Sequence, residues 1–207
     1  MNSRSLKKKI SLFSFLLLST FLFPETRAVS LKVLGDEEFR RELQWKEKVE
    51  NIVYLTSSEF ERVFGVNFSI EKFEDWNSDN YLNSLSLLAE DIDSRINKEN
   101  FDVILAFTSQ INLEEQFYGL SLFKEGIILL KDLKNISAMV LALEHEMAHI
   151  FGAVHVENPD SLMDVFSRGK DFDSFNSKII LMNKTRSFNP VNFPIAKENW
   201  EKAIEIY

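Results

Sequence analysis

The chain has 207 residues, long enough to bury a hydrophobic core, and its 45% hydrophobic and 27% charged residues are typical of one folded globular domain. It contains no cysteine, which excludes disulfides, thiolate metal ligands and cysteine nucleophiles. Its net charge of −8 makes nucleic acid and anionic membranes unfavourable partners, so we expect it to bind neither.

The first 28 residues have the features of an export signal. Four basic residues precede a largely apolar run at 10–23, and Thr26-Arg27-Ala28 offers small residues for cleavage after Ala28. A transmembrane anchor is the alternative, but this run has about 14 residues and a bilayer needs roughly 20. We therefore expect a signal peptide at 1–28, no stable membrane anchor, and a secreted or periplasmic mature chain with a net charge of −12.

Hydrophobic periodicity predicts that strands and helices alternate along the rest of the chain. In chain order it predicts a strand at 31–34, a helix at 37–64, a strand at 66–70, a helix at 82–96, strands at 101–107, 119–123 and 127–130, and helices at 137–151 and 196–206. Lys124-Glu125-Gly126 favours a hairpin turn between two of the short strands. This order predicts an α/β fold with flanking helices and an antiparallel strand at the sheet edge.

All three histidines of the chain lie in one segment, HEMAHIFGAVH, at 145–155. On a helix, His145 and His149 differ by about 40° of rotation and project from one face, so both can reach one ion. Gly152 can adopt the left-handed conformation that ends a helix, and the reversed chain can then bring His155 to the same ion. Three nitrogen ligands leave a fourth position for water, which predicts one catalytic Zn²⁺.

Glu146 lies about 100° around the helix from its histidine neighbour, where it can contact that water without being a ligand. It is the candidate catalytic base: it would take the proton of the water that attacks a peptide carbonyl and deliver it to the leaving amine. The structural alternative is a helix with solvated or core histidines. That alternative leaves the concentration of every histidine in one motif unexplained.

The segment matches the pattern HExxHxxGxxH, and the chain therefore resembles the metzincin clan of zinc endopeptidases. Met163, in Ser161-Leu162-Met163 shortly after His155, looks like the methionine of the clan's Met-turn beneath the zinc site. The resemblance implies a twisted mixed sheet in an upper subdomain at 29–152. It also implies a small, mostly irregular and helical lower subdomain at 153–207.

The resemblance further implies that an extended substrate lies between the two subdomains and pairs with an edge strand formed by Gly119, Leu120, Ser121 and Leu122. Two positions depart from particular families in the clan. Val156 follows the third histidine where several families have an acidic residue, and Val165 replaces the astacin-type tyrosine. The family within the clan is therefore left unassigned, with the reprolysin and matrixin side nearer in layout.

The sequence thus predicts an exported zinc endopeptidase that acts on protein or peptide substrates. One alternative is a zinc-binding pseudoprotease or adhesin that holds a peptide without cleaving it. Glu146 speaks against this alternative, because a pure binder has no need of a carboxylate beside the water. Another alternative is a zinc hydrolase with a non-peptide substrate, which a cleft too closed for an extended chain would favour.

Overall fold

The computed structural model describes residues 26–114, 117–165 and 169–188. Its elements in chain order are β1 (Arg27–Gly35), a 3₁₀ turn (Phe39–Arg41), α1 (Trp45–Phe64), β2 (Val66–Asp75), α2 (Leu85–Arg95), β3 (Val103–Thr108), β4 (Gly119–Leu122), β5 (Ile127–Lys131), α3 (Ile136–Ile150) and α4 (Ser174–Met182). The predicted order is confirmed from β1 to α3, whereas the sequence did not predict α4.

The five strands form one sheet in the order β2-β1-β3-β5-β4. Neighbouring strands are parallel except for β4, which runs antiparallel to β5 at the edge. Gly126 has a φ of 68° in the turn between β4 and β5, a conformation that glycine adopts without steric cost. The predicted mixed sheet with an antiparallel edge strand is confirmed. Among the described residues, the outer edge of β4 has no strand beside it.

Helices cover both faces of this sheet, as expected where parallel strands are buried on both sides. β3 is buried along its whole length. Its Val103, Leu105 and Phe107 pack in a core with α1 and α3. The alternate residues Ile104 and Ala106 pack in a second core with α2. α3, the helix with the histidine motif, therefore lies on the face that also holds α1.

The predicted helix at 37–64 is divided in the structure. Gln44 has a φ of 64°, a left-handed conformation that cannot continue a right-handed helix. The first part is therefore only a 3₁₀ turn, and α1 begins after Gln44. The helix ends as predicted at Gly65, which is also left-handed with a φ of 64°.

Other predictions fall partly or wholly outside the described residues. Residues 1–25 of the predicted signal peptide and the predicted helix at 196–206 lie outside them. The predicted cleavage site after Ala28 lies within β1, where Arg27 and Ala28 pair with Val66 and Asn67. Every helix in the described ranges is too short or too polar to span a bilayer.

Candidate active site and metal centre

α3 presents the first two histidines and the candidate base. The helix begins at an Asn135 cap, whose side chain accepts a hydrogen bond from the Ala138 amide. Buried Met139, Leu143 and Met147 pack it into the larger core. Because this packing fixes the rotation of the helix about its axis, residues one turn apart on α3 are held in a defined orientation.

The three histidine side chains meet at their Nε2 atoms. His145 Nε2 lies 3.0 Å from His149 Nε2. His155 Nε2 lies 3.1 Å from the first and 3.0 Å from the second. Within the described ranges, these residues are the one cluster of three or more potential metal ligands with donor atoms close enough to share an ion. The structure therefore brings together the three side chains that the sequence predicts as ligands.

Backbone carbonyls fix the tautomers of the two helical histidines. His145 Nδ1 lies 2.8 Å from Leu162 O, and His149 Nδ1 lies 2.8 Å from Ala153 O. A carbonyl oxygen only accepts hydrogen bonds, so each Nδ1 has the hydrogen and each Nε2 presents a lone pair. Two such lone pairs 3.0 Å apart repel each other unless a cation lies between them.

Zinc fits this set of donors. A zinc–nitrogen bond measures about 2.0–2.1 Å, so two ligands of one ion lie at most about 4.2 Å apart, and all three separations meet this condition. Burial lowers the pKa of all three rings, that of His149 to about 4, with the neighbouring His145 contributing. The imidazoles are therefore neutral at pH 7, which is the form that binds metal.

Glu146 is buried against β4. Burial raises the pKa of its carboxyl to about 7, and a hydrogen bond from the Ser121 side chain opposes that rise. Gly119 leaves room for the carboxylate, because a Cβ at that position would lie 2.8 Å from Glu146 Cγ and 3.0 Å from its Oε1. Leu120 and Leu122 pack with α2 on the other face of the sheet. Alternate residues of β4 thus face the base.

The chain reverses after α3 at Gly152, as the sequence predicts. Gly152 has a φ of 93°, a backbone conformation that residues with a Cβ rarely adopt. Its amide donates to His149 O at 2.8 Å, and the Ala153 amide donates to Ala148 O at 3.0 Å. These bonds satisfy the last carbonyls of the helix and direct the chain towards His155.

Met163 is fully buried in the larger core. Its carbonyl accepts a hydrogen bond from the Val156 amide at 3.2 Å, and its amide donates to the Ser161 hydroxyl at 3.0 Å. The preceding carbonyl, Leu162 O, holds the His145 ring. The turn predicted as a Met-turn thus contacts the segments of two histidines, and the role of Met163 in the site stays a prediction.

Sequence reasoning missed Asn176, a fully buried residue in the first turn of α4. Its side chain forms hydrogen bonds with both the backbone amide and the backbone carbonyl of Val154, the residue before the third histidine. Asp173 caps the helix by accepting a hydrogen bond from the Asn176 amide. An aspartate that precedes a short apolar stretch is a recognised helix start, and this signal at Asp173 could have revealed α4.

Comparisons with known proteins agree with this geometry. The sequence model of Metallo-peptidase family M12 matches residues 25–193. A comparison with curated proteins finds no match. Archaemetzincin from Methanopyrus kandleri has a similar structure, with a TM-score of 0.59, 16% identity, and coverage of 80% of this chain and 100% of that one.

Two further solved structures have the same fold. A zinc-dependent peptidase from Methanocorpusculum labreanum has a TM-score of 0.51 and 16% identity, and the match covers 72% of this chain and 99% of that one. A protein in a chaperone–substrate complex has a TM-score of 0.61 and 12% identity, with 82% of this chain but only 36% of that one covered. The chain belongs to metallopeptidase family M12 and is a zinc metallopeptidase of the metzincin clan.

Proposed function

We propose that this chain is an exported zinc endopeptidase in which His145, His149 and His155 bind one zinc ion and Glu146 is the general base. The observation that supports this most directly is the meeting of three Nε2 atoms within 3.1 Å of one another. The buried Glu146 directly follows the first of these histidines on α3. Zinc bound there supplies a Lewis acid that polarises a peptide carbonyl and lowers the pKa of a water molecule.

Glu146 moves the proton in this proposal. Its carboxylate takes a proton from the attacking water and delivers it to the nitrogen of the leaving amine. Burial holds its pKa at about 7, so the group can both accept and release a proton near neutral pH. The hydrogen bond with the Ser121 side chain orients the carboxylate while it does so.

The free edge of β4 supports a peptide substrate bound in extended form. In the part of the chain that the structure describes, β4 pairs through Gly119–Leu122 with β5 on one side and with no strand on the other. A strand with an unpaired edge can bind an extended peptide through backbone hydrogen bonds. Because Glu146 packs against the same strand, a peptide paired with β4 passes beside the base. An open edge strand can pair with a substrate that extends to both sides of the cleaved bond, as an endopeptidase requires.

A mixed peptide library tests this function. The zinc-loaded chain is expected to cut internal bonds, and Glu146→Gln, which keeps the size of the side chain, is expected to retain zinc and lose about 10²–10⁴-fold in rate. His149→Ala is the companion variant and should lose both zinc and cleavage. Cleavage by zinc-loaded Glu146→Gln at the wild-type rate would refute the role of the base. Zinc bound without any cleavage by the wild-type chain would favour the peptide-binding alternative.

Export is tested by the mass of the mature chain. Cleavage after Ala28 leaves Val29, which is fully buried, as the first residue of the remaining strand. We expect a protein recovered outside the cytoplasm whose sequence begins at Val29. The strand loses two paired residues and the ion pair between Arg27 and Asp102, but it keeps its pairing from Val29 onwards. A protein that retains residues 1–28 in its native compartment would overturn this proposal.

A further inference from the structure

The third histidine is held differently from the first two. His145 and His149 lie on α3, whereas residues 153–156 have no regular secondary structure, and His155 is exposed. The backbone amide of its neighbour Val156 donates a hydrogen bond to Met163 O at 3.2 Å. A helix cannot set the position of this side chain, so contacts made by the flanking backbone must do so.

Asn176 makes such contacts on the other side of His155. Its Oδ1 accepts a hydrogen bond from the Val154 amide at 2.8 Å, and its Nδ2 donates to Val154 O at 3.0 Å. The opposite orientation of the side-chain amide would bring donor against donor and acceptor against acceptor, so only one orientation is allowed. Since Val154 O belongs to the peptide bond that leads into His155, this pair of bonds fixes the backbone at the third histidine.

A network fixes the Asn176 side chain in turn. Asp173 Oδ2 accepts hydrogen bonds from Asn176 Nδ2 at 2.8 Å and from the Ser161 hydroxyl at 2.7 Å. The Ser161 hydroxyl oxygen accepts a hydrogen bond from the Met163 amide at 3.0 Å. Val154 and Val156, on either side of His155, are therefore tied to one connected set of polar groups that runs from α4 to Met163.

We propose that Asn176 is a positioning residue for zinc: it holds His155 where its Nε2 meets the Nε2 atoms of His145 and His149. This inference rests on the proposed role of His155 as a ligand. Metal–ligand distances tolerate errors of only about 0.2 Å, so a loosened His155 segment binds the ion less tightly. Residues that do not touch the metal but hold its ligands in place contribute about 10–100-fold to metal affinity.

Zinc affinity of the full chain, measured by competition with a coloured chelator, tests the proposal. Asn176→Ala is expected to weaken binding about 10–100-fold, towards the value for His155→Ala. Gln110→Ala is the matched control, because Gln110 is also a buried side-chain amide and donates to a backbone carbonyl, Leu82 O at 2.8 Å, in a segment that packs with α2 on the other face of the sheet. The control should lower the unfolding temperature of the metal-free chain and leave zinc affinity unchanged.

Replacing zinc with Co²⁺ gives a measurement that a mere loss of folding stability would not change. The visible absorption of Co²⁺ depends on the number and geometry of its ligands, so its spectrum should change in Asn176→Ala and stay as in the wild type in Gln110→Ala. Wild-type zinc affinity and an unchanged cobalt spectrum in Asn176→Ala would overturn the proposal while leaving the zinc-peptidase function intact. Failure of the wild-type chain to bind zinc would instead refute the proposed function.

Hydrogen exchange of the wild-type chain covers the case in which Asn176→Ala does not fold. The Val154 amide of the zinc-free protein is expected to exchange slowly, because Asn176 already bonds it before any metal is present. Exchange of this amide as fast as in an unstructured peptide would show that the segment is not held in advance, and would also overturn the proposal.

Discussion

The hydrogen atom that Gly119 has in place of a side chain determines how closely Glu146 approaches β4. A Cβ at this position would come within 2.8 Å of Glu146 Cγ and 2.5 Å of Leu130 Cδ2. Real Cβ atoms essentially never approach other atoms this closely, so both side chains would have to move. The free edge of the sheet and the position of the base are therefore linked through a single residue.

Gly119→Ala should impair catalysis more than folding. The contacts that a methyl group would make are with side-chain atoms of Glu146 and Leu130, and side chains can move while the strand stays paired. We expect kcat to fall about 10–100-fold, because small displacements of a catalytic group cost this much. Zinc affinity and the unfolding temperature should stay close to wild type. A variant with wild-type kcat would show that Glu146 accommodates the methyl group.

At this scale, sequence spacing predicts contacts within a helix and fails for contacts across the fold. His145 and His149 lie one helical turn apart, so their meeting follows from helix geometry. Asn176 and Val154 are 22 residues apart, and their contact depends on how α4 docks. The hydrogen bond between Ser121 and Glu146 likewise depends on the packing of β4 against α3. No periodicity in the sequence predicts either contact.

Among the secondary-structure elements, those with a long apolar pattern were predicted and the irregular ones were not. β2 continues to Asp75, past its predicted end at Ile70. A register shift between the partners of Leu31 and Lys32 interrupts the alternation of buried and exposed residues there, so the sequence pattern ends before the strand does. α4 has only nine residues and buries the polar Asn176, so its apolar period is too short to recognise. These deviations have local causes, which is why the order of the larger elements was still predicted correctly.

The connection between β5 and α3 depends on one ionised carboxylate. The Asp132 side chain is only 1% exposed and lies 2.9 Å from Lys48 Nζ of α1 and 3.2 Å from the Ser109 hydroxyl after β3. Burial alone would raise the pKa of Asp132, but hydrogen bonds from Lys134 and Lys48 hold it below its usual value. The ionised form therefore stabilises the junction of three elements.

This junction predicts a dependence of stability on pH. A depressed carboxyl pKa contributes stability above the pKa of the unfolded chain, about 3.9, and that contribution disappears as pH falls through the lower folded value. Asp132→Asn should therefore lower the free energy of unfolding by about 1–3 kcal/mol at pH 7 and by less at pH 3, where part of that contribution is already lost. Urea unfolding at both pH values measures this difference.

Asp75→Asn is the control for this comparison. Its carboxylate pairs with Arg40 but is 73% exposed, so water screens the interaction. The control should unfold at nearly the same urea concentration as the wild type at pH 7. An equal effect of Asp132→Asn at both pH values would mean that the ionisation of Asp132 does not stabilise the fold.

Across the whole molecule, Arg186 joins parts of the fold that are distant in sequence. Its guanidinium donates hydrogen bonds to Ile150 O at the end of α3 and to Phe123 O beside the turn between β4 and β5, the latter at 2.9 Å. It also stacks against the rings of Phe123 and Phe188, 4.1 and 4.9 Å from their centroids. Burial lowers its pKa to about 10, so it remains charged at neutral pH.

Arg186→Ala should destabilise the whole chain. The change leaves two carbonyls without this donor and removes the guanidinium from between two aromatic rings, so we expect a loss of about 2–4 kcal/mol in the free energy of unfolding. Arg62→Ala, an exposed residue paired with Glu59 on the same helix, is the control and should behave like the wild type in denaturant. An equal effect of both variants would show that the Arg186 contacts do not support the fold.

The bond between Asn176 and Val154 also has a consequence for the order in which the chain is made. The ribosome synthesises the histidine motif before α4, and the two bonded residues are 22 positions apart. While the chain is still emerging, its first two histidines can lie on a folded helix, but the segment with the third lacks its hydrogen bonds to Asn176. We therefore expect a chain that ends before residue 173 to bind zinc weakly and to cut nothing, so the peptidase becomes active only once α4 has been made.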